Sequence, residues 1–340
     1  MEGGPALVDA GVLDVLLEAA EPVGVDALGA NGGRELERLE AAGCELERHP
    51  QRGVRLLSAG LSVWADYLAV YPPARSDSGD GDRVSPLKRD GPGCDRRVGR
   101  RVGRRVVVLR ETASTQAVAR ELAEAGSAGV VLADAQSAGR GRLGRSWASP
   151  AGAGVLMSMV LEDGGVAGEA LSLAVGVAVA RVVERWAGAG LAEMRWPNDV
   201  LVGEKKVAGV LIERVAGRVV VGVGLNVHRP DEGWPREVEG VAVALDELRV
   251  TGAVHRLAVV RELVAGIEGM DAGDARVGGV IEFWRARCVQ LGRRVVLMSD
   301  GKEVRGEVVA IDPAQGLAVR GERGAVVYVP AATARNVVEG

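Results

Sequence analysis

Apolar positions recur at helical spacing in the first seventy residues. Val12, Leu13, Val15, Leu16 and Leu17 fall in one stretch, and Leu36, Leu39 and Ala42 are spaced for a single helical face. Glu45 to Leu57 then alternates around a Gln51-Arg52-Gly53 turn, which predicts a short hairpin. Helices followed by a hairpin are the parts of a winged helix-turn-helix, expected here over residues 1–71. Periodicity stops from Pro72 to Arg105, where Pro, Gly, Ser, Asp and Arg dominate and too little apolar surface is available to offset the entropy of ordering, so 72–105 is predicted to be a disordered linker. Strand and helix signals alternate from 106 to 290. Strands are predicted at 106–109, 129–133, 155–161, 194–196, 200–202, 207–212 and 219–224, and helices near 115–125, 171–186, 254–267 and 277–289. Tight turns between successive strands, as at Gly203-Glu204, indicate hairpins and therefore an α/β (α+β) domain with a mixed sheet. Four short strands between 294 and 329, split by Ser-Asp-Gly, Asp-Pro and Gly-Glu-Arg-Gly turns, predict a small SH3-like β-barrel over 291–340.

Composition narrows the class without naming a function. A chain of 340 residues with 47% apolar content suits a globular protein of two or three domains, and a net charge of −4 excludes general attraction to nucleic acid. Cys44, Cys94 and Cys288 are too few and too scattered for a disulfide scaffold or a zinc site. The N-terminus lacks a basic signal region, and the longest apolar run stops at Arg181, short of a membrane span. A cytoplasmic protein with no membrane partner is expected. The second half of the linker, with nine basic and three acidic residues, is either a solvated tether or a non-specific phosphate-binding arm.

Candidate chemistry concentrates between two predicted strands, in Gln136-Ser137-Ala138-Gly139-Arg140-Gly141-Arg142-Leu143-Gly144-Arg145-Ser146-Trp147. Its glycines match GxGxxG, but Ser146 to Gly152 breaks the helix that a dinucleotide fold needs after the third glycine. Interleaved arginines set it apart: glycine lets backbone amides approach an anion, and each guanidinium holds two oxygens in a planar fork. Four further segments follow the same order along the chain: Glu111-Thr112-Ala113-Ser114-Thr115-Gln116, Arg195-Trp196-Pro197-Asn198-Asp199-Val200, Lys205 to Glu213, and Gly222-Val223-Gly224-Leu225-Asn226-Val227. Singly each has a plain structural explanation, as flexible loop, helix cap, turn or close sheet contact.

As an ordered set they resemble the catalytic domain of biotin protein ligases, of class II synthetase type. The flanking units resemble the bifunctional members that double as biotin operon repressor. The resemblance implies activation of biotin by ATP to biotinyl-5′-AMP and pyrophosphate, then transfer to one lysine of a biotin carboxyl carrier protein domain, as of acetyl-CoA carboxylase. It implies Lys206 at the α-phosphate and biotin carboxylate, with Arg142 and Asp199 as the other catalytic groups. Biotin would meet Ser114, Thr115, Gln116, Gln136, Arg140, Gly141, Arg142, Lys206 and Gly209, Gln116 standing where the family often has asparagine. ATP would meet Arg140, Arg142, Arg145, Trp147, Asn198, Lys206 and Asn226. No carboxylate cluster suggests a dedicated metal cage, so Mg²⁺ is expected to arrive on the nucleotide. Edge strands make a homodimer conceivable.

The N-terminal unit departs from the family pattern. Between Val25-Asp26-Ala27-Leu28 and Leu36 to Gly43 only Gly29 to Glu35 remain, so several recognition-helix residues are missing, and residues 1–50 hold three arginines against eleven acidic side chains. That balance opposes a phosphate-binding footprint and argues against operator binding. Three alternatives stay open: a lipoate or octanoyl ligase of related fold, a biotin-responsive DNA regulator, and a generic nucleotide-binding module.

Overall fold

The computed structural model describes residues 9–19, 21–70, 105–166, 168–248, 253–270 and 274–339; most of the basic linker, with Cys94, lies outside them. The N-terminal unit runs α1 (Ala10–Glu18), a 3₁₀ turn (Val25–Leu28), α2 (Gly32–Ala41), the antiparallel hairpin β1 (Glu45–His49) and β2 (Gly53–Ser58), and α3 (Leu61–Val70). Asp9 caps α1 by accepting from the amides of Gly11 and Val12. Val25–Leu28 forms a single 3₁₀ turn, and α2 spans only ten residues.

The next 180 residues form a seven-stranded mixed sheet. Its strands are β3 (Val106–Thr112), β4 (Gly129–Gln136), β5 (Gly154–Glu162), β6 (Glu193–Arg195), β7 (Asp199–Val202), β8 (Lys205–Val215) and β9 (Arg218–Asn226), in the order β3-β4-β5-β9-β8-β7-β6. Only β3 and β4 pair in parallel, joined by the crossover α4 (Thr115–Glu124). Helices α5 (Gly168–Ala187), α6 (Arg256–Glu268) and α7 (Asp274–Arg287) complete this part.

Strand alternation divides the core by face. Val131 of β4, Val160 of β5 and Val220 of β9 pack with Ala119, Leu122 and Ala123 of α4, while Val130, Leu132, Val155, Met157 and Met159 join the large core with Leu173, Val179 and Val183 of α5. On the α4 face the cross-strand rows then change character. Val160, Val220 and Glu213 lie under or beside α4, and the next rows toward the N-terminus of α4 are Ser158-Gly222-Leu211 and Leu156-Gly224-Gly209. Two glycines on the central strand remove the side chains that would fill this space.

The C-terminal strands β10 (Arg294–Ser299), β11 (Lys302–Asp312), β12 (Gly316–Arg320), β13 (Val326–Val329) and β14 (Arg335–Glu339) form an antiparallel sheet in the order β13-β12-β11-β10-β14. It is open, with β13 and β14 as its edges, rather than closed into the expected barrel.

The N-terminal unit docks on α6. Arg261, 4% exposed, pairs with Asp14 at 2.9 Å and Glu18 at 3.0 Å on α1 and donates to Tyr67 Oη on α3 at 3.3 Å. Arg256 lies 5.2 Å from the Trp64 ring centroid and reaches Asp134 of β4 at 2.6 Å. His255, buried at the start of α6, is held neutral by burial and by the positive charge of His228 and Arg55, its pKa lowered from 6.5 to about 4. An unfolded chain therefore binds an extra proton between those values, and stability is expected to fall as pH drops from 6.5 toward 4, by up to about 3 kcal/mol. Urea midpoints at pH 7 and pH 5 check this; His255→Gln should flatten that part of the pH dependence.

Candidate active site

Loss of side chains along β9 leaves a cavity of about 460 Å³ on the α4 face of the sheet. Its inner end is lined by uncharged hydroxyl and amide side chains, with the Glu213 carboxylate behind them. Gln136 Oε1 accepts from the Thr115 amide at 2.7 Å, Thr115 Oγ1 meets Ser158 Oγ at 2.9 Å, and Ser158 Oγ donates to Gln116 Oε1 at 3.0 Å. Gln116 Nε2 in turn donates to Glu213 at 3.1 Å. The Gln116 amide lies directly over Gly222, where an added Cβ would come within 2.6 Å of Oε1.

Over the other glycine row lies Trp147. A Cβ on Gly224 would fall 2.4 Å from its indole, and one on Gly209 would be 3.1 Å away. The arginine-glycine loop delivers this ring through backbone bonds from Gly141 N to Arg145 O at 2.7 Å and from Trp147 N to Gly139 O at 2.9 Å. Gly224→Ala is expected to push the indole off the sheet. A red-shifted emission that disappears in a Trp147→Phe background would report it.

The outer end is cationic. Lys206 Nζ is 2.7 Å from Asp199 Oδ1 and 5.2 Å from the Trp147 ring centroid. Arg142 Nη1 donates to Asn198 Oδ1 at 3.3 Å, and Nη2 donates to the Ala331 carbonyl. Asn198 is fixed to β8 twice, through Nδ2 to Val210 O at 2.8 Å and Val210 N to Asn198 O at 3.0 Å. Burial pushes the Arg142 guanidinium below its usual range, and the carboxylates of Glu169 and Asp199 oppose that shift. Arg140 sits at the rim, 3.8 Å from Glu213.

Three polar atoms at the cavity wall are buried with no hydrogen-bond partner: Ser114 Oγ, Trp147 Nε1 and Trp196 Nε1. Burial of an unpaired polar atom is costly. Among the described residues no group of three or more His, Cys, Asp or Glu side chains is arranged to hold a metal ion.

Comparison with known proteins agrees with this geometry. Residues 107–229 match the model of the biotin/lipoate A/B protein ligase family. The biotin–[acetyl-CoA-carboxylase] ligase of Mycobacterium tuberculosis is 37% identical over 246 residues, covering 68% of this chain and 90% of that relative. The corresponding ligase of Paracoccus denitrificans is 34% identical over 238 residues, covering 66% of this chain and 98% of that relative. This chain belongs to the biotin protein ligase family. The bifunctional ligase/repressor BirA of Bacillus subtilis is 36% identical over 155 residues, 43% of this chain; the match spans about half of that relative, 47%. Among solved structures, the biotin protein ligase from Aquifex aeolicus in complex with biotin and ATP superposes with a TM-score of 0.58 at 26% identity, over 69% of this chain and 99% of that one.

Nearly all the residues singled out by the family motifs meet at this one cavity. Ser114, Thr115, Gln116, Gln136, Arg140, Gly141, Arg142, Arg145, Trp147, Asn198, Asp199, Lys206 and Gly209 line it. Asn226 does not. It is buried behind β8, its Nδ2 donating to Lys206 O at 3.3 Å and Val243 O at 3.2 Å, so its amide holds the backbone that carries Lys206. Arg195 and Trp196, quoted within a motif but given no role, also line the cavity, as do Ser158 and Ala334, which were missed. Ser158 had a signal: it is the sole polar residue in the run Val155 to Leu161, and a buried polar group needs a reason. Ala334 had none, because it arrives from the C-terminal sheet.

Proposed function

We propose that this chain is an ATP-dependent biotin–[biotin carboxyl-carrier protein] ligase. The observation that carries the reading is one cavity joining a neutral hydrogen-bonding end to a cationic end across an indole. A ureido ring needs donors and acceptors without charge, supplied by Ser114, Thr115, Gln116, Ser158 and Gln136; the apolar tail lies along Trp147 and Leu156. The carboxylate then reaches Lys206 and Arg142. Its attack on the α-phosphate of ATP builds negative charge on the equatorial oxygens, which these fixed cations stabilise as pyrophosphate leaves. Asp199 holds the Lys206 ammonium in place and is suited to receive the incoming lysine of the carrier domain. Arg140 and Arg145 meet the remaining phosphates. Mg²⁺ travels with the triphosphate. A loop that closes over biotinyl-5′-AMP keeps water from the mixed anhydride until the carrier docks.

The polar inner end disfavours lipoate, whose dithiolane ring offers nothing to pair with these amide and hydroxyl groups. Residues 106–290 are assigned the catalysis, 291–340 an SH3-sized accessory unit, and 1–71 a winged-helix-like unit whose acidic character and docking on α6 speak against operator reading. A cytoplasmic site of action follows from the need for ATP and carrier. No helix among the described residues is long and apolar enough to cross a membrane. A homodimer through sheet edges is compatible with this reading. The test is biotin-dependent pyrophosphate release, followed by streptavidin detection of a carrier domain incubated with ATP and biotin. Release that is independent of biotin, or stimulated equally by lipoate, defeats the assignment.

A further inference from the structure

Arg142 lies in a loop rich in glycine and arginine, and one end of its guanidinium is tied to the C-terminal sheet. Its Nη2 donates to the Ala331 carbonyl, and the amide of the same residue donates to Glu169 Oε1. Ala331 therefore links a carboxylate to a guanidinium through a single backbone residue. The turn that carries it is built to stay put. Thr333 N and Ala334 N both donate to Pro330 O at 3.2 Å, and Thr333 Oγ1 meets Ser299 Oγ of β10 at 2.8 Å. Glu169 is equally fixed. It stands in the first turn of α5, where the helix dipole favours a carboxylate, and the segment before α5 is fastened by Arg214 of β8 through Asp163 at 2.8 Å and Val166 O.

The arrangement answers an electrostatic problem. Arg145 opposes the charge on Arg142 from within the same loop, while the Glu169 carboxylate is the largest favourable charge acting on it. Asn198 and Ala331 occupy two of the five N–H donors of the guanidinium and leave the rest for an anion. The group is thereby aimed before substrate arrives, so that less ordering has to accompany binding.

We infer that Glu169, acting through the Ala331 backbone, is a positioning residue that holds Arg142 and the arginine-glycine loop against the outer end of the cavity, and that the C-terminal turn 330–334 is the strap it acts on. The inference deepens the ligase reading and rests on it for its kinetic arm, but loop restraint can be measured without any activity. In the substrate-free full chain, trypsin cleavage after Arg142 and Arg145, mapped by mass, reports how often the loop leaves its seat. Glu169→Ala should raise that cleavage and the KM for ATP each about tenfold, while kcat changes less than about twofold, as expected for loss of one charge-assisted hydrogen bond. Glu169→Gln keeps the acceptor oxygen and should return both to within about threefold of wild type. Thr333→Ala, which loosens the strap from its other side, should move both in the same direction as Glu169→Ala and decides the matter should that variant not fold. Wild-type cleavage and KM in Glu169→Ala, or Gln as damaging as Ala, overturns the role. Absence of biotin-dependent pyrophosphate release from the wild type would defeat the ligase reading instead, and the protease arm would still judge the strap.

Discussion

Lys206→Ala is expected to lower biotin-dependent pyrophosphate release by about two to three orders of magnitude, the usual effect of deleting a fixed group that stabilises charge developing in a transition state. In the proposed reaction the ammonium stands between the two anions; it lies 2.7 Å from Asp199, beside the Trp147 ring and in the same cavity as Arg142. The Nζ and Cε of Lys206 also lie close to the open Cα of Gly209, so the side chain has a defined seat rather than free rotation. Removing it takes away one of the cations that balance the Asp199 carboxylate, in a site proposed to collect phosphate. Arginine at 206 keeps the charge but is longer and planar, and should recover little of the loss. Folding should be barely affected, because the side chain is about one-third exposed and its partner one-quarter. Parallel initial rates and urea midpoints for wild type and variant separate the two effects; release at the wild-type rate would remove Lys206 from the reaction.

Arg261→Met is expected to carry the largest cost in stability. A buried guanidinium that loses its partners or leaves them behind costs about 3–5 kcal/mol in general. Here Asp14 is 34% and Glu18 58% exposed, so water screens part of the debt and about 2–3 kcal/mol is expected. Tyr67 Oη loses the Arg261 donor and keeps its own bond to Asp14. The loss should be local first: α1 and α3 are held to α6 by this cluster, so residues 9–70 should separate in an early transition while the seven-stranded sheet persists. Urea titration followed by hydrogen exchange locates that transition. An Asp14→Asn, Arg261→Met cycle should return a coupling of about 1 kcal/mol or more.

Much of the architecture was legible because burial and period coincide. The apolar runs of β9, Val219 to Gly224, and of β5, Val155 to Leu161, are too short for a typical helix, and both strands fall within two residues of expectation. Helix α3 and strand β14 were not found: Leu61 to Val70 is apolar on most sides, and Arg335 to Glu339 follows a turn with no Gly or Asn to punctuate it. The site was legible where motifs name residue types, and illegible where a contact crosses the chain. Glu169 lies 162 positions from Ala331, and nothing local in Gly168-Glu169-Ala170 announces the pairing. Asn226 is the converse: the motif picks it out, but only the fold reveals that its amide is already occupied by Lys206 and Val243.

Strand β9 is hydrogen-bonded along both edges, to β5 and to β8, throughout the stretch that carries Gly222 and Gly224. The floor of the cavity is thus held from both sides, its width fixed by the spacing of three paired strands. Whatever adaptation a bulkier or slimmer guest demands must come from the covering loop. Selectivity for ring shape and tolerance at the tail are consequently written into different parts of the chain, and one can be altered by engineering while the other is left as it stands.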